Sequence, residues 1–214
     1  MRKLLLAAAS LAAVGATANA QALEFNVGAF GGFARGETEW DYVPPPDPIP
    51  TFDTDGGMLG VNAGVGATFS GFYIGAEADY AWASINGQER CPNPSWACEA
   101  EVESLATLRA VFGRQVGPWL FYGTGGVAQG DVHIQTQLSN STAFGSGPEF
   151  GETQSRDGWA AGIGVRRDVG PHLSWRAEYL HVELDEGTST VDFGLQVQTQ
   201  TTLDAVRLGV DWNF

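Results

Sequence analysis

Residues Ala205 to Phe214 read AVRLGVDWNF. Val206, Leu208, Val210, Trp212 and Phe214 fall on one side of a chain with a two-residue period, and Arg207, Gly209, Asp211 and Asn213 fall on the other. That period is the signature of a β-strand with one apolar and one polar face. The strand is the last element of the chain, so the fold depends on whether its pattern recurs upstream.

It recurs seven times. Leu23 to Ala34 places Phe25, Val27, Ala29, Gly31 and Phe33 on one parity, and Met58 to Phe69 sets Leu59, Val61, Ala63, Val65, Ala67 and Phe69 against Gly60, Asn62, Gly64, Gly66 and Thr68. In Phe72 to Ala83 the apolar set is Phe72, Ile74, Ala76, Ala78, Tyr80 and Trp82, opposed by Tyr73, Gly75, Glu77 and Asp79. Val102 to Arg114 is expected to turn Ala106, Leu108, Ala110 and Phe112 outward, and Thr107, Arg109 and Gly113 inward. Trp119 to Gln137 reads with Leu120, Tyr122, Val132 and Ile134 on the apolar face and Gln129, Asp131, His133 and Gln135 on the polar one. The sixth strand opposes Trp159, Ala161, Ile163 and Val165 to Gly162, Gly164 and Arg166, and the seventh opposes Leu173, Trp175, Ala177 and Tyr179 to Ser174, Arg176 and Glu178.

The joins alternate in length. Segments 35–57, 84–101, 138–157 and 184–200 read as long connections, while Ser70-Gly71, Val116-Gly117-Pro118 and Asp168 to Pro171 are tight turns. An even-stranded transmembrane barrel alternates in this way, with turns on the periplasmic side and loops outside the cell. A sheet crossing a bilayer must also close on itself to satisfy its backbone groups. Phe72, Trp82, Trp119, Trp159, Trp175, Tyr179 and Trp212 lie near expected strand ends, where aromatic girdles sit at the two interfaces. The expected fold is therefore all-β, an eight-stranded antiparallel up-and-down barrel with long extracellular loops and short periplasmic turns.

The N-terminus has the parts of a secretory leader: Arg2 and Lys3, an apolar run from Leu4, and the small-residue site Ala18-Asn19-Ala20. Cleavage after Ala20 is expected, leaving residues 21–214 as the barrel domain. Without Arg2 and Lys3 the eleven basic residues fall to nine against 25 acidic ones, and the formal charge moves from −14 to −16. A balance this acidic argues against nucleic-acid or anionic-membrane surface binding, which needs a basic footprint; divalent cations or basic partners suit it better. Cys91 and Cys98 stand in a polar segment of an exported chain and are expected to form a disulfide, which would stabilise by about 2.5 kcal/mol on the chain-entropy model.

The inward parity collects Glu77, Asp79, Arg109, Asp131, Arg166, Arg176, Glu178, Arg207 and Asp211. An arginine on the lipid face costs about 2–4 kcal/mol at the midplane, so a shared parity argues for a lumen. Eight strands leave room only for side chains, and the expectation is a plug of ion pairs in place of an open pore.

Three stretches carry a family resemblance: LRAVFGRQVGPWLFYGTGGVAQGDV (Leu108 to Val132), GWAAGIGVRRDVGPHLSWRAEYLHVEL (Gly158 to Leu184) and AVRLGVDWNF. With them the chain resembles the small eight-stranded outer-membrane barrels: the OmpA-like transmembrane domain, opacity proteins and alphaproteobacterial outer-membrane immunogenic proteins. The resemblance implies residence among outer-membrane lipids and lipopolysaccharide. It also implies that Phe214 is part of the signal read by the barrel-assembly machinery, after escort by periplasmic chaperones. The chain ends at the barrel, so peptidoglycan binding by an appended domain does not carry over.

Other motifs are discounted. Gly123 to Ala128 matches a dinucleotide fingerprint but opens no helix. Asp53-Thr54-Asp55-Gly56 begins like a calcium loop, yet its twelfth position is Gly64. Asn140-Ser141-Thr142 is a glycosylation sequon that a bacterial chain is not expected to use. His133, with Ser139 and Ser141 after it, and His181, followed by Glu183, could contribute to a hydrolase only if a Ser, His and acid cluster assembled in space. No catalytic, cofactor or metal residue is assigned. The reading is a monomeric structural envelope barrel, with alternatives of a surface adhesin acting through acidic loops, a small porin, and, further off, a lipid-modifying enzyme. Those loops would carry Glu37, Glu39, Asp41, Asp47, Asp53, Asp55, Glu99, Glu101, Asp185 and Glu186, with Pro44 to Pro46, Pro48 and Pro50 stiffening the first.

Overall fold

Ser70 and Gly71 reverse the chain with φ of 52° and 82°, the pair of positive angles that a two-residue type I′ hairpin requires. Gly117, at φ 60° before Pro118, supplies the first position of a type II′ turn. These two hairpins and the bend at 169–172 lie at one end of the molecule. The computed structural model describes residues 23–43, 51–91, 95–138, 149–190 and 196–214. The leader with its Ala20 site, the proline-rich stretch with Asp47, and residues 139–142 lie outside the described residues.

The strands are β1 (Glu24–Val43), β2 (Phe52–Phe69), β3 (Phe72–Arg90), β4 (Trp96–Val116), β5 (Trp119–Leu138), β6 (Glu149–Asp168), β7 (Leu173–Thr190) and β8 (Gln196–Asn213). Neighbours pair antiparallel in chain order and β1 closes on β8, from Asn26↔Asn213 to Val43↔Gln196. A closed barrel leaves no sheet edge along the paired length.

The strands run well beyond the expected ends, and at least half of each segment read as a long connection is strand. The reason is an inversion of the pattern along each strand. In β8 the outward residues are Val206, Leu208, Val210 and Trp212 toward the turn end, but Asp204, Thr202 and Gln200 beyond. The inward residues change in the opposite sense, from Asp211 and Arg207 to Ala205, Leu203 and Val197. β1 switches between Phe33 and Arg35, β5 between Val127 and Gln129, β6 between Trp159 and Asp157, and β7 between Tyr179 and His181. The switch points sit beside one another in the register, for example Phe33↔Val206, Arg35↔Asp204, Val127↔Trp159 and His181↔Asp204. They form a belt around the barrel.

On the turn side of the belt the outer wall is apolar, including Phe25, Val61, Ile74, Phe112, Ile163, Leu208 and Val210. Phe72, Trp119, Trp175 and Trp212 ring its turn end, and Trp82, Trp159 and Tyr179 ring the belt. Beyond the belt the strands enclose a conventional apolar core: Trp40, Phe52, Ile85, Val102, Leu105, Val132, Ile134, Leu180, Val182, Leu184, Val197 and Leu203.

Two expectations need correction. Glu37, Glu39, Asp41, Asp53, Asp55, Glu99, Glu101, Asp185 and Glu186 lie on strands of the extension and not in loops. In β5 the faces are reversed. Leu120, Tyr122, Val132 and Ile134 are buried inside, and Phe121 and Val127 face outward. Both ends of the β5 lumenal face are apolar, so a rule that places apolar residues outside picks the wrong parity.

Candidate functional site

β3, β4, β7 and β8 aim seven charged side chains at one layer of the lumen, on the turn side of the belt. Arg109 from β4 is 1% exposed and joins three carboxylates: Nη2 lies 2.9 Å from Glu77 Oε1 and 2.7 Å from Asp79 Oδ2, and Nη1 lies 2.9 Å from Glu178 Oε1. Its Nε donates to Thr107 Oγ1 at 2.9 Å, and that hydroxyl donates onward to Asp79 at 2.8 Å. Arg176 joins Glu77 to Asp211, and Arg207 joins Asp79 to Glu178. The planar guanidinium, with five donors and a permanent charge, suits this bridging role.

Neutral groups extend the layer. Tyr122 OH donates to Glu178 Oε2 at 2.9 Å, Asn62 Nδ2 donates to Asp211 Oδ1 at 2.8 Å, and the Arg207 guanidinium lies 4.6 Å from the centre of the Phe30 ring. Gly28 makes room: a Cβ there would stand 2.1 Å from Asp211 Oδ1. Below the network, a void of about 10 Å³ is lined by residues including Asn26, Tyr73, Glu77, Tyr122, Arg166 and Arg176. That volume suits one water. Tyr73, Val111, Leu120 and Tyr122 then pack the lumen toward the turn end.

Seven of the nine residues expected in the lumen are thus brought together, and two are not. Asp131 stands on the outer wall beyond the belt, where Ser104 and Ser155 donate to it, because β5 presents its odd residues outward. Arg166 is on the inner face near the turn end, 5.1 Å from the centre of the Tyr73 ring, with no ion pair among the described residues.

Cys91 and Cys98 are bonded across the β3–β4 connection, with Cα atoms 5.3 Å apart. Phe214 extends β8, its N–H donating to Phe25 O at 2.9 Å while its ring stays exposed. His181 Nδ1 lies 2.8 Å from Asp204 Oδ1, an oxygen that also accepts from Tyr179 OH at 2.6 Å. The hydrogen bonds from Tyr179 and His181 hold the Asp204 carboxyl below its usual range. His133 meets Thr153, and among the described residues neither ring is bonded to a serine. Gly123 to Ala128 lies within β5, and Asp53 and Asp55 lie on β2, with Asp53 paired to Arg35 at 2.9 Å. Those placements suit neither a pyrophosphate cradle nor a calcium loop.

Three inward residues of the extension were missed: Glu152, Gln154 and Arg156 of β6. They fell in a segment read as a connection, although they share the parity of Gly162, Gly164 and Arg166, and continuing that alternation would have found them. Arg156 is buried without an ion pair among the described residues. Burial lowers its pKa, opposed by the Glu152 carboxylate.

Residues 4–214 match the model of the outer membrane protein beta-barrel domain family. The chain belongs to that family. The 31 kDa outer-membrane immunogenic protein of Brucella melitensis is 26% identical over 166 residues, covering 75% of this chain and 68% of the relative. In fold, the chain is similar to the outer membrane protein OprG of Pseudomonas aeruginosa, with TM-score 0.56 and 14% identity over 91% of this chain and 97% of that one. It is also similar to a major outer membrane protein of Thermus thermophilus, with TM-score 0.52 and 13% identity over 90% and 100%. Membership places this barrel in the bacterial outer membrane, among its lipids and lipopolysaccharide. In barrels of this family type the turns face the periplasm. The apolar wall is then the bilayer-spanning band, and the strands beyond the belt rise from the cell surface.

Proposed function

We propose that the protein is a non-conducting structural barrel of the envelope, its lumen plugged by the network centred on Arg109. The carrying observation is the set of three ion pairs that Arg109 makes at once, to Glu77 and Asp79 on β3 and Glu178 on β7. A side chain tied to both sides of so narrow a lumen leaves no continuous water path, and moving it would strand several buried charges. The family is mostly non-enzymatic, and we assign this chain no catalysis. On the same reading the leader is cleaved after Ala20, and periplasmic chaperones deliver the chain to the barrel-assembly machinery, which reads Phe214. The barrel is monomeric and divalent cations gather at its acidic wall.

Single-channel recording in planar bilayers tests the plug. Purified protein should give no stable conductance, and Arg109→Ala should open brief conducting events. Large steady currents from the unmodified protein would favour the porin reading.

A further inference from the structure

Pairing between β6 and β7 stops at Gly158↔Leu184. Beyond it β6 stays paired with β5 as far as Gln137↔Glu149, and β7 with β8 as far as Thr190↔Gln196. Among the described residues, the wall of the extension therefore carries a seam where two strand edges face each other without a backbone ladder. Side chains close it. Gln154 Nε2 donates to Thr188 O at 2.8 Å, and Thr190 N–H donates to Glu152 Oε1 at 2.6 Å. The two side chains also join each other, Gln154 Nε2 to Glu152 Oε1 at 2.8 Å. Below them Arg156 donates to Ser189 Oγ at 3.2 Å and to the Thr199 carbonyl.

Thr188 and Thr190 are two residues apart, so their main-chain groups point to the same side of the strand. The amide of Gln154 and the carboxylate of Glu152 thus provide one donor and one acceptor where a neighbouring strand would provide an N–H and a C=O. This pair is a surrogate for a strand. Its hold is limited: the bonds that span the seam are few and exposed to solvent, and, among the described residues, the Nε of Arg156 beneath them is buried without a partner.

We propose that the β7 edge at residues 185–190 is a docking edge for an extended peptide segment, which adds as a strand and displaces the Glu152–Gln154 pair. Main-chain groups facing the seam call for a polypeptide. Charge selects its side chains. Asp157, Asp185 and Glu186 are exposed on the outer wall beside the seam, so outward positions of the segment are basic. Inward positions face Arg156 and the apolar core, and are small and uncharged. A second copy of this chain would bring the same acids against these and is disfavoured. The docking edge goes beyond the plugged barrel proposed above, and a conducting lumen would leave it untouched.

The test uses the whole barrel in lipid nanodiscs and a synthetic peptide of alternating arginine and serine. The peptide should bind and slow hydrogen exchange at the Thr190 amide. Analogues N-methylated at every second residue, made in both registers, should include one that fails to bind, because methylation removes the main-chain donors. Glu152→Ala with Gln154→Ala should bind the peptide about three- to tenfold tighter, since the surrogate no longer competes. Equal binding of both methylated analogues, no change at the Thr190 amide, or dimers of the double variant would each overturn the proposal. If the double variant does not assemble, the methylation series and the Thr190 readout on the unmodified protein decide the matter.

Discussion

The membrane band and the extension are built from the same eight strands, yet each is the other turned inside out. In the band Arg109, Arg176 and Arg207 are inside while Leu208, Val210 and Ile163 are outside; in the extension Ile134, Leu184 and Leu203 are inside while Glu39, Asp55 and Asp204 are outside. Strand geometry is continuous across the belt, and only the solvent changes. Against hydrocarbon the wall must be apolar and the charges have only the lumen to occupy. Against water the hydrophobic effect works in its ordinary direction, and apolar side chains retreat inward. A transmembrane barrel thus carries on top of it, without a domain boundary, a barrel of soluble type.

The sharpest way to break the comparison is to remove one charge from the band. Arg109→Met should destabilise the barrel by about 3–5 kcal/mol, because three carboxylates lose their buried partner; urea unfolding in detergent, followed by the heat-dependent gel shift, would measure it. The matching cut in the extension is Ile134→Ala. It should cost about 2–4 kcal/mol, as cavities do in soluble cores, with a normal gel shift if the band assembles independently.

A charge added to each outer wall tests the solvent argument directly. Ile163→Arg, in the middle of the band, should cost about 2–4 kcal/mol, while Glu39→Arg on the extension should stay within about 0.5 kcal/mol. Equal costs in the same unfolding assay would remove the basis for placing the membrane boundary at the belt.

The smallest effect lies on the belt. Hydrogen bonds from Tyr179 and His181 lower the Asp204 pKa from its ordinary 3.8. A depressed carboxylate contributes stability that is present above its unfolded pKa and lost as pH falls through the folded value. Asp204→Asn should therefore lower stability slightly at neutral pH and make no difference in strong acid. Unfolding midpoints compared across that range would show the two curves merging.

Much of this architecture was legible from residue order, and most of the failures share one origin. Alternation located all eight strands and both aromatic rings, because period 2 survives whatever surrounds the strand. It stopped short at Ala34, Ala83 and Val102 because the polarity of the faces inverts at the belt, and an inverted pattern reads as a loop. β5 was read backwards because its lumenal face is apolar at both Leu120 and Val132. Asp131 went into the lumen with it. The bulge at Val102/Ser104 in β4 interrupts the pairing near the belt, and the one at Leu184/Gly187 in β7 does so within the extension, which parity alone cannot anticipate. Glu152, Gln154 and Arg156 were passed over for the same reason, since their segment showed no apolar stripe.

By itself, AVRLGVDWNF and its seven counterparts determined that the chain forms closed, alternating strands for a bilayer, because backbone groups in hydrocarbon must pair and side chains must sort by face. Only the tertiary structure decided which charges meet across the lumen, where the faces exchange roles, and that β6 and β7 part above Gly158. Those outcomes depend on register between strands distant in sequence, and on which solvent each stretch of wall meets, and neither is written in the local order of residues.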